Sequence, residues 1–127
     1  MTPAILDASA LLAVLFREPG SETAVPYVPG AFLSAVNLAE VATRCVERGQ
    51  PPGHVEVLLA ELPVVVVPFD AQAAYRAAAL RVATRSLGLS LGDRCCLALG
   101  LEKQAVVLTT DREWSKLNLG IEIRQLR

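Results

Sequence analysis

The sequence predicts an α/β fold in which helices cover both faces of a central, mostly parallel sheet. Three observations carry this. Short apolar runs, several ending at Asp or Pro, alternate with longer Ala- and Leu-rich stretches. The apolar mass is aliphatic, with 53% of residues hydrophobic and only 5% aromatic. The runs are continuous, as expected of strands buried on both faces. A chain of 127 residues with mean hydropathy +0.42 is the size of one domain, residues 1–127, and can bury its own core.

Each element follows in order. Residues 4–6 form a short strand that stops at Asp7, and 8–16 are too long and too rich in Ala and Leu for a second strand, so they form a helix ended by Pro19-Gly20. Residues 21–27 make a weak helix that Pro26 limits. After the Pro29-Gly30 turn, 31–33 read as a brief strand and 35–48 as a helix stopped by Gly49 and Pro51-Pro52. A further helix covers 53–61. Residues 64–67, four valines between prolines, are the clearest strand signal. Asp70 caps a helix over 71–86 that Gly88 ends. Ser90 caps the next, to Lys103; 105–108 are a buried strand running into Thr109-Thr110-Asp111. A short helix over 113–117 and a last strand over 121–123 complete the alternation, which argues a three-layer α/β arrangement.

Charge favours no polyanion at long range: the net charge is -1 and the pI about 5.8. Local arginines remain available, namely Arg17, Arg44, Arg48, Arg94 and Arg112. The three cysteines, two of them adjacent at 95 and 96, form no even, spaced disulfide set. With no leader-like segment and no apolar run of membrane-spanning length, a cytoplasmic protein is expected. The only histidine, His54, follows a Pro-rich turn and reads as surface. No GxxxxGK[ST], GxGxxG or GxSxG occurs, and the cysteines have no evident His partner.

Four acids stand out. Asp7 and Asp111 follow strands directly, where open α/β sheets place their sites; each is also an ordinary helix N-cap residue. Glu40 sits in an apolar helical stretch and has Arg44 as an i+4 partner. Asp93 stands three residues after Ser90, the spacing of a capping box. Gly92 is a poor residue for the first turn of a helix unless something approaches its backbone closely. Taken together, converging carboxylates would raise one another's pKa values, and a bound cation removes that penalty. Carboxylates without His or Cys suit Mg²⁺ or Mn²⁺, and such a site fits phosphodiester hydrolysis.

The four acids also carry a resemblance. Ile5-Leu6-Asp7-Ala8-Ser9-Ala10, Ser34-Ala35-Val36-Asn37-Leu38-Ala39-Glu40, Leu91-Gly92-Asp93-Arg94 and Leu108-Thr109-Thr110-Asp111 resemble, in order, the four acidic motifs of the PIN-domain family, and specifically its VapC-type toxins. The resemblance implies a PIN α/β/α sandwich and an endoribonuclease dependent on Mg²⁺ or Mn²⁺. Asp7, Glu40, Asp93 and Asp111 would be its metal-binding catalytic acids. Ser9 and Thr109 would orient two of them, and Arg94 and Arg112 would dock RNA. It further implies a homodimer and a VapB-type antitoxin whose tail covers the site, with Leu11, Leu12, Phe16 and Trp114 as candidates for an apolar groove. Two other readings are a PIN nuclease of RNA processing and a Mg²⁺-binding, non-enzymatic regulatory module. The second fits poorly, because a lone Asp follows the first strand and the middle strand ends in Pro68-Phe69-Asp70.

Overall fold

A computed structural model describes residues 3–127. Five strands form one sheet: β1 (Ile5–Leu6), β2 (Phe32–Ser34), β3 (Val65–Val67), β4 (Val107–Thr109) and β5 (Ile123–Gln125), in the order β3-β2-β1-β4-β5. Every pairing is parallel, so the expected mostly parallel sheet is wholly so. The chain builds outward from β1 to β3 and then returns to lay β4 and β5 on the other side. Between β1 and β4 the direction of winding reverses, and there the connecting segments leave the carboxyl edge in opposite directions.

Two-residue periodicity sorts the core. Leu6 and its register partner Leu108 face one layer, with Leu11, Leu33 and Val41. Ile5 and Val107 face the other, with Leu97 and Trp114. The first layer takes α1 (Ala8–Leu15), α2 (Ser21–Ala24), α3 (Ala35–Glu47) and α4 (Pro52–Ala60); the second takes α5 (Ala71–Ala79), α6 (Arg81–Thr84) and α7 (Leu91–Lys103). Each fully buried Leu contributes roughly 1.5–3 kcal/mol. Among the described residues no helix is long and apolar enough to cross a membrane.

Several elements depart from expectation. The helix predicted over 71–86 breaks at Leu80, whose carbonyl accepts a bond from the Thr84 hydroxyl at 2.7 Å, a back-bond that bends helices. The weak helix over 21–27 is one α-helical turn followed by a 3-10 turn that contains Pro26. The segment expected as a helix over 113–117 is a 3-10 turn, Arg112–Lys116. The last strand lies two residues later than 121–123, because its register with β4 pairs Thr109 with Gln125. The valine run is an edge strand, with Val65 49% and Val66 41% exposed.

Candidate active site

The first and fourth strands deliver two acids to the reversal point. Asp7 leaves β1 and is 5% exposed. Its side chain does not cap α1. Instead Oδ2 accepts bonds from Ser9 Oγ at 2.7 Å and Thr109 Oγ1 at 2.9 Å. Each hydroxyl accepts in turn from the loop after β4: Thr110 N–H donates to Ser9 Oγ, and Asp111 N–H to Thr109 Oγ1. A hydroxyl has one proton, so accepting from an amide leaves that proton for the carboxylate. Ser9 and Thr109, expected beside two of the acids, both bond the Asp7 carboxylate, and they tie the start of α1 to the end of β4.

Burial pushes the Asp7 carboxyl up from 3.8 to about 6. The Ser9 and Thr109 hydrogen bonds pull it down, and the charges of Asp93 and Glu40 raise it further. Their effect on Asp7 places three of the acids in one electrostatic neighbourhood.

Glu40 arrives from α3. Among the described residues it forms no ion pair with Arg44. Its partner is Asn37, fully buried one turn earlier, whose Nδ2 donates to Glu40 Oε1 at 2.8 Å and to the Gly92 carbonyl at 3.1 Å. Asn37 therefore joins α3 to α7 and fixes Glu40 between them. Two acceptors on Nδ2 also set the orientation of the amide, since the flipped form would press its oxygen against both. Gly92 makes room: a Cβ there would stand 2.7 Å from Glu40 Cδ and Oε1. The close approach that the glycine implied is that of a carboxylate.

Asp93 does form the capping box with Ser90, using Oδ2. Asp111 uses Oδ1 to accept from Glu113 N–H. In both, capping engages one oxygen and leaves the second.

All four acids line one groove of about 850 Å³, together with Ser9, Thr110, Leu12, Phe16, Val36 and Ala39. Leu11 and Trp114, the other two groove candidates, are core residues at 0% exposure. Arg94 and Arg112 do not line the groove. Arg94 donates to the Ala77 carbonyl at the end of α5, and Arg112 Nε to the Arg127 carbonyl. The arginines that do line it are Arg44 and Arg127. His54 is exposed on α4, outside it. Burial pushes the Cys96 thiol well above its usual range, so no thiolate competes with the acids.

The donor chemistry, oxygen ligands alone, suits a hard divalent cation. As they stand, no three His, Cys, Asp or Glu side chains among the described residues are close enough to hold one ion together. Enclosing a cation therefore requires water in the remaining positions, or Asp93 or Asp111 turning off its cap.

The sequence motifs passed over Asn37. Its signal was present: an amide in a largely apolar helix, three residues before an acid, is a local hydrogen-bonding pair.

Comparison with known proteins follows the same line. A sequence model of the PIN domain matches residues 4–119. No curated protein matches the chain. Among solved structures, a DNA-bound VapBC complex from Salmonella typhimurium has a chain 20% identical, with each chain covered in full and a TM-score of 0.75. A toxin–antitoxin complex from Klebsiella pneumoniae has one 16% identical, 98% of each chain covered, with a TM-score of 0.74. A sarcin–ricin-loop-cleaving VapC toxin from Mycobacterium tuberculosis is 16% identical over 94% of this chain and 98% of its own, with a TM-score of 0.73. At such identities these likenesses establish the fold.

Proposed function

The chain belongs to the PIN-domain family, and on that footing we propose that it is a VapC-type toxin, a divalent-metal-dependent endoribonuclease silenced by a VapB-type antitoxin. The observation that carries this reading is the gathering of Asp7, Glu40, Asp93 and Asp111 on one groove at the reversal point of the sheet. Asp7, the buried acid of the four, carries a desolvation cost that a bound cation would relieve. The fold neighbours named as toxin–antitoxin complexes support the partner. The apolar floor of Leu12, Phe16, Val36 and Ala39 offers an antitoxin tail a surface beside the acids. The same reading makes the protein a homodimer, at work in the cytoplasm.

In this mechanism the four acids would hold Mg²⁺ or Mn²⁺, with water filling the remaining positions. When bound, such a cation supplies an acidified water and positive charge against a phosphate. The protein's part is orientation. Ser9 and Thr109 hold one oxygen of Asp7 so that the other faces the groove, and Asn37 holds Glu40 against Gly92. The capped conformations of Asp93 and Asp111 fix where their carboxylates begin.

The test is RNA cleavage by the antitoxin-free protein in EDTA and in Mg²⁺ or Mn²⁺, beside Asp93→Asn. Metal-dependent cleavage that disappears in the variant is the expected result. Equal cleavage by both proteins would overturn the site.

Asn37 supplies a further expectation. Asn37→Ala should weaken Mn²⁺ binding, followed by calorimetric titration, by about 10- to 100-fold, the usual effect of removing a residue that orients a ligand. Val55→Ala, a cavity in α4 outside the groove, should destabilise the fold and leave that affinity alone. Equal losses in both would mean that Asn37 matters only for stability.

A further inference from the structure

The acidic groove has a basic end. Arg44 and Arg127 line it, and Arg48 lies over the Phe16 ring, 3.9 Å from its centroid. Arg48 and Arg127 share one carboxylate, Glu18, at 3.6 and 3.8 Å, and Arg127 also donates to the Pro19 carbonyl. Arg44 is exposed and, among the described residues, has no ion-pair partner. Two guanidiniums thus share a single acid, and the third, Arg44, has none among the described residues. Arg44 stands one turn beyond Glu40 on the same face of α3, about 6 Å further along the axis.

The natural i+4 partner of Arg44 is turned away, because Asn37 engages Glu40. The groove thus carries four carboxylates and, one helical turn along α3 from Glu40, an uncommitted guanidinium. With a net charge of -1 the chain has no long-range field to draw in a polyanion, so attraction must come from short-range contacts. A guanidinium one helical turn from the acids is placed for a phosphate adjoining the one they act on, and its fork geometry suits phosphate oxygens.

We propose that Arg44 binds the RNA phosphate next to the scissile one, so that the strand runs along α3 from the acids toward Arg127. This rests on the nuclease reading and assigns that substrate's path through the site. Arg94 and Arg112, the arginines nearest the motifs in sequence, have main-chain partners instead and take no part in this track.

Phosphate contacts carry no sequence information, so a mixed-sequence probe reads them. The experiment measures binding of a short, fluorescein-labelled, single-stranded RNA to the non-cleaving Asp93→Asn protein across a range of salt concentrations. Adding Arg44→Ala should weaken binding about tenfold at low salt and flatten the slope of log affinity against log salt by about 0.7, one phosphate on a single strand. Arg44→Lys should keep the slope, and Arg81→Ala, an exposed arginine of α6 outside the groove, should match the parent. An unchanged slope in Arg44→Ala, or an equal change in Arg81→Ala, overturns the proposal while metal-dependent cleavage by the wild type stands. Loss of binding to an Asp/Glu-rich peptide in place of RNA would make this end a protein-docking patch and overturn it likewise. If the wild type cuts no RNA and the parent binds none, the nuclease reading falls and takes this inference with it.

Discussion

Asp7→Asn should abolish RNA cleavage and, in the absence of metal, make the protein more stable. The activity loss, at least about a thousandfold, corresponds to some 4 kcal/mol of lost transition-state stabilisation. The gain in stability follows from burial. In the folded chain the carboxyl titrates at about 6 against 3.8 in its ordinary state, so the folded protein holds the proton more tightly. That contribution is fully present below about 3.8 and is lost as pH rises to about 6 and beyond. Above that window the ionised carboxylate costs about 3 kcal/mol, at 1.36 kcal/mol per unit. Asparagine never ionises, and its carbonyl still accepts from Ser9 and Thr109. Urea unfolding in EDTA across that pH range is the measurement. The wild type should weaken through the window, and the variant should not. A variant no more stable than the wild type at neutral pH would show that the buried charge is not costly, and with it the argument that this acid is retained for a ligand would fail.

On the proposed function, Gly92→Ala should cut RNA cleavage about a hundredfold without unfolding the protein. The new methyl would stand 2.7 Å from Glu40 Cδ and Oε1, and the end of a Glu side chain yields more readily than a helix backbone. Glu40 therefore moves, leaving the Asn37 amide, and a displacement of about 1 Å at a positioned catalytic group can cost about a hundredfold in rate. Stability should hardly change, because alanine is favoured over glycine in a helix by about 1 kcal/mol, which offsets the crowding. Melting curves and cleavage rates separate the two effects. Combining Gly92→Ala with Glu40→Asp, whose carboxylate is one methylene shorter, should lose less than the two changes do separately. Full activity in Gly92→Ala would mean that the carboxylate position seen here is not the working one.

The sequence exposed those features whose causes are local. Asp7 and Asp111 could be read because strand ends are marked by apolar runs, and Gly92 because a glycine in a helix's first turn needs a reason. Asp93 showed its capping box through spacing alone. Features set by tertiary contact were hidden. Asn37 acts through a carbonyl 55 residues away. Thr84 breaks a helix whose propensity runs on through Ser86, and the valine run gives no sign that β3 is an edge. Sequence neighbours and groove neighbours differ for the arginines: Arg94 and Arg112 adjoin motif acids but donate to the Ala77 and Arg127 carbonyls outside the groove, whereas Arg44 shares a helix face with Glu40 and lines it.

The hydrogen bond from Thr109 to Asp7 spans 102 residues, joining the first strand made to the fourth. On the ribosome Asp7 therefore emerges long before its partner, by roughly 5 to 20 seconds at 5–20 residues per second. Until β4 docks beside β1, Asp7 lacks its Thr109 hydroxyl and Asp111 has not arrived. On the proposed function, a nascent or truncated polypeptide carrying Asp7, Glu40 and Asp93 alone should accordingly be inert. The topology delays assembly of the four-acid groove until nearly the whole protein has been synthesised, so on the proposed function the cell's RNA would not meet a half-made nuclease.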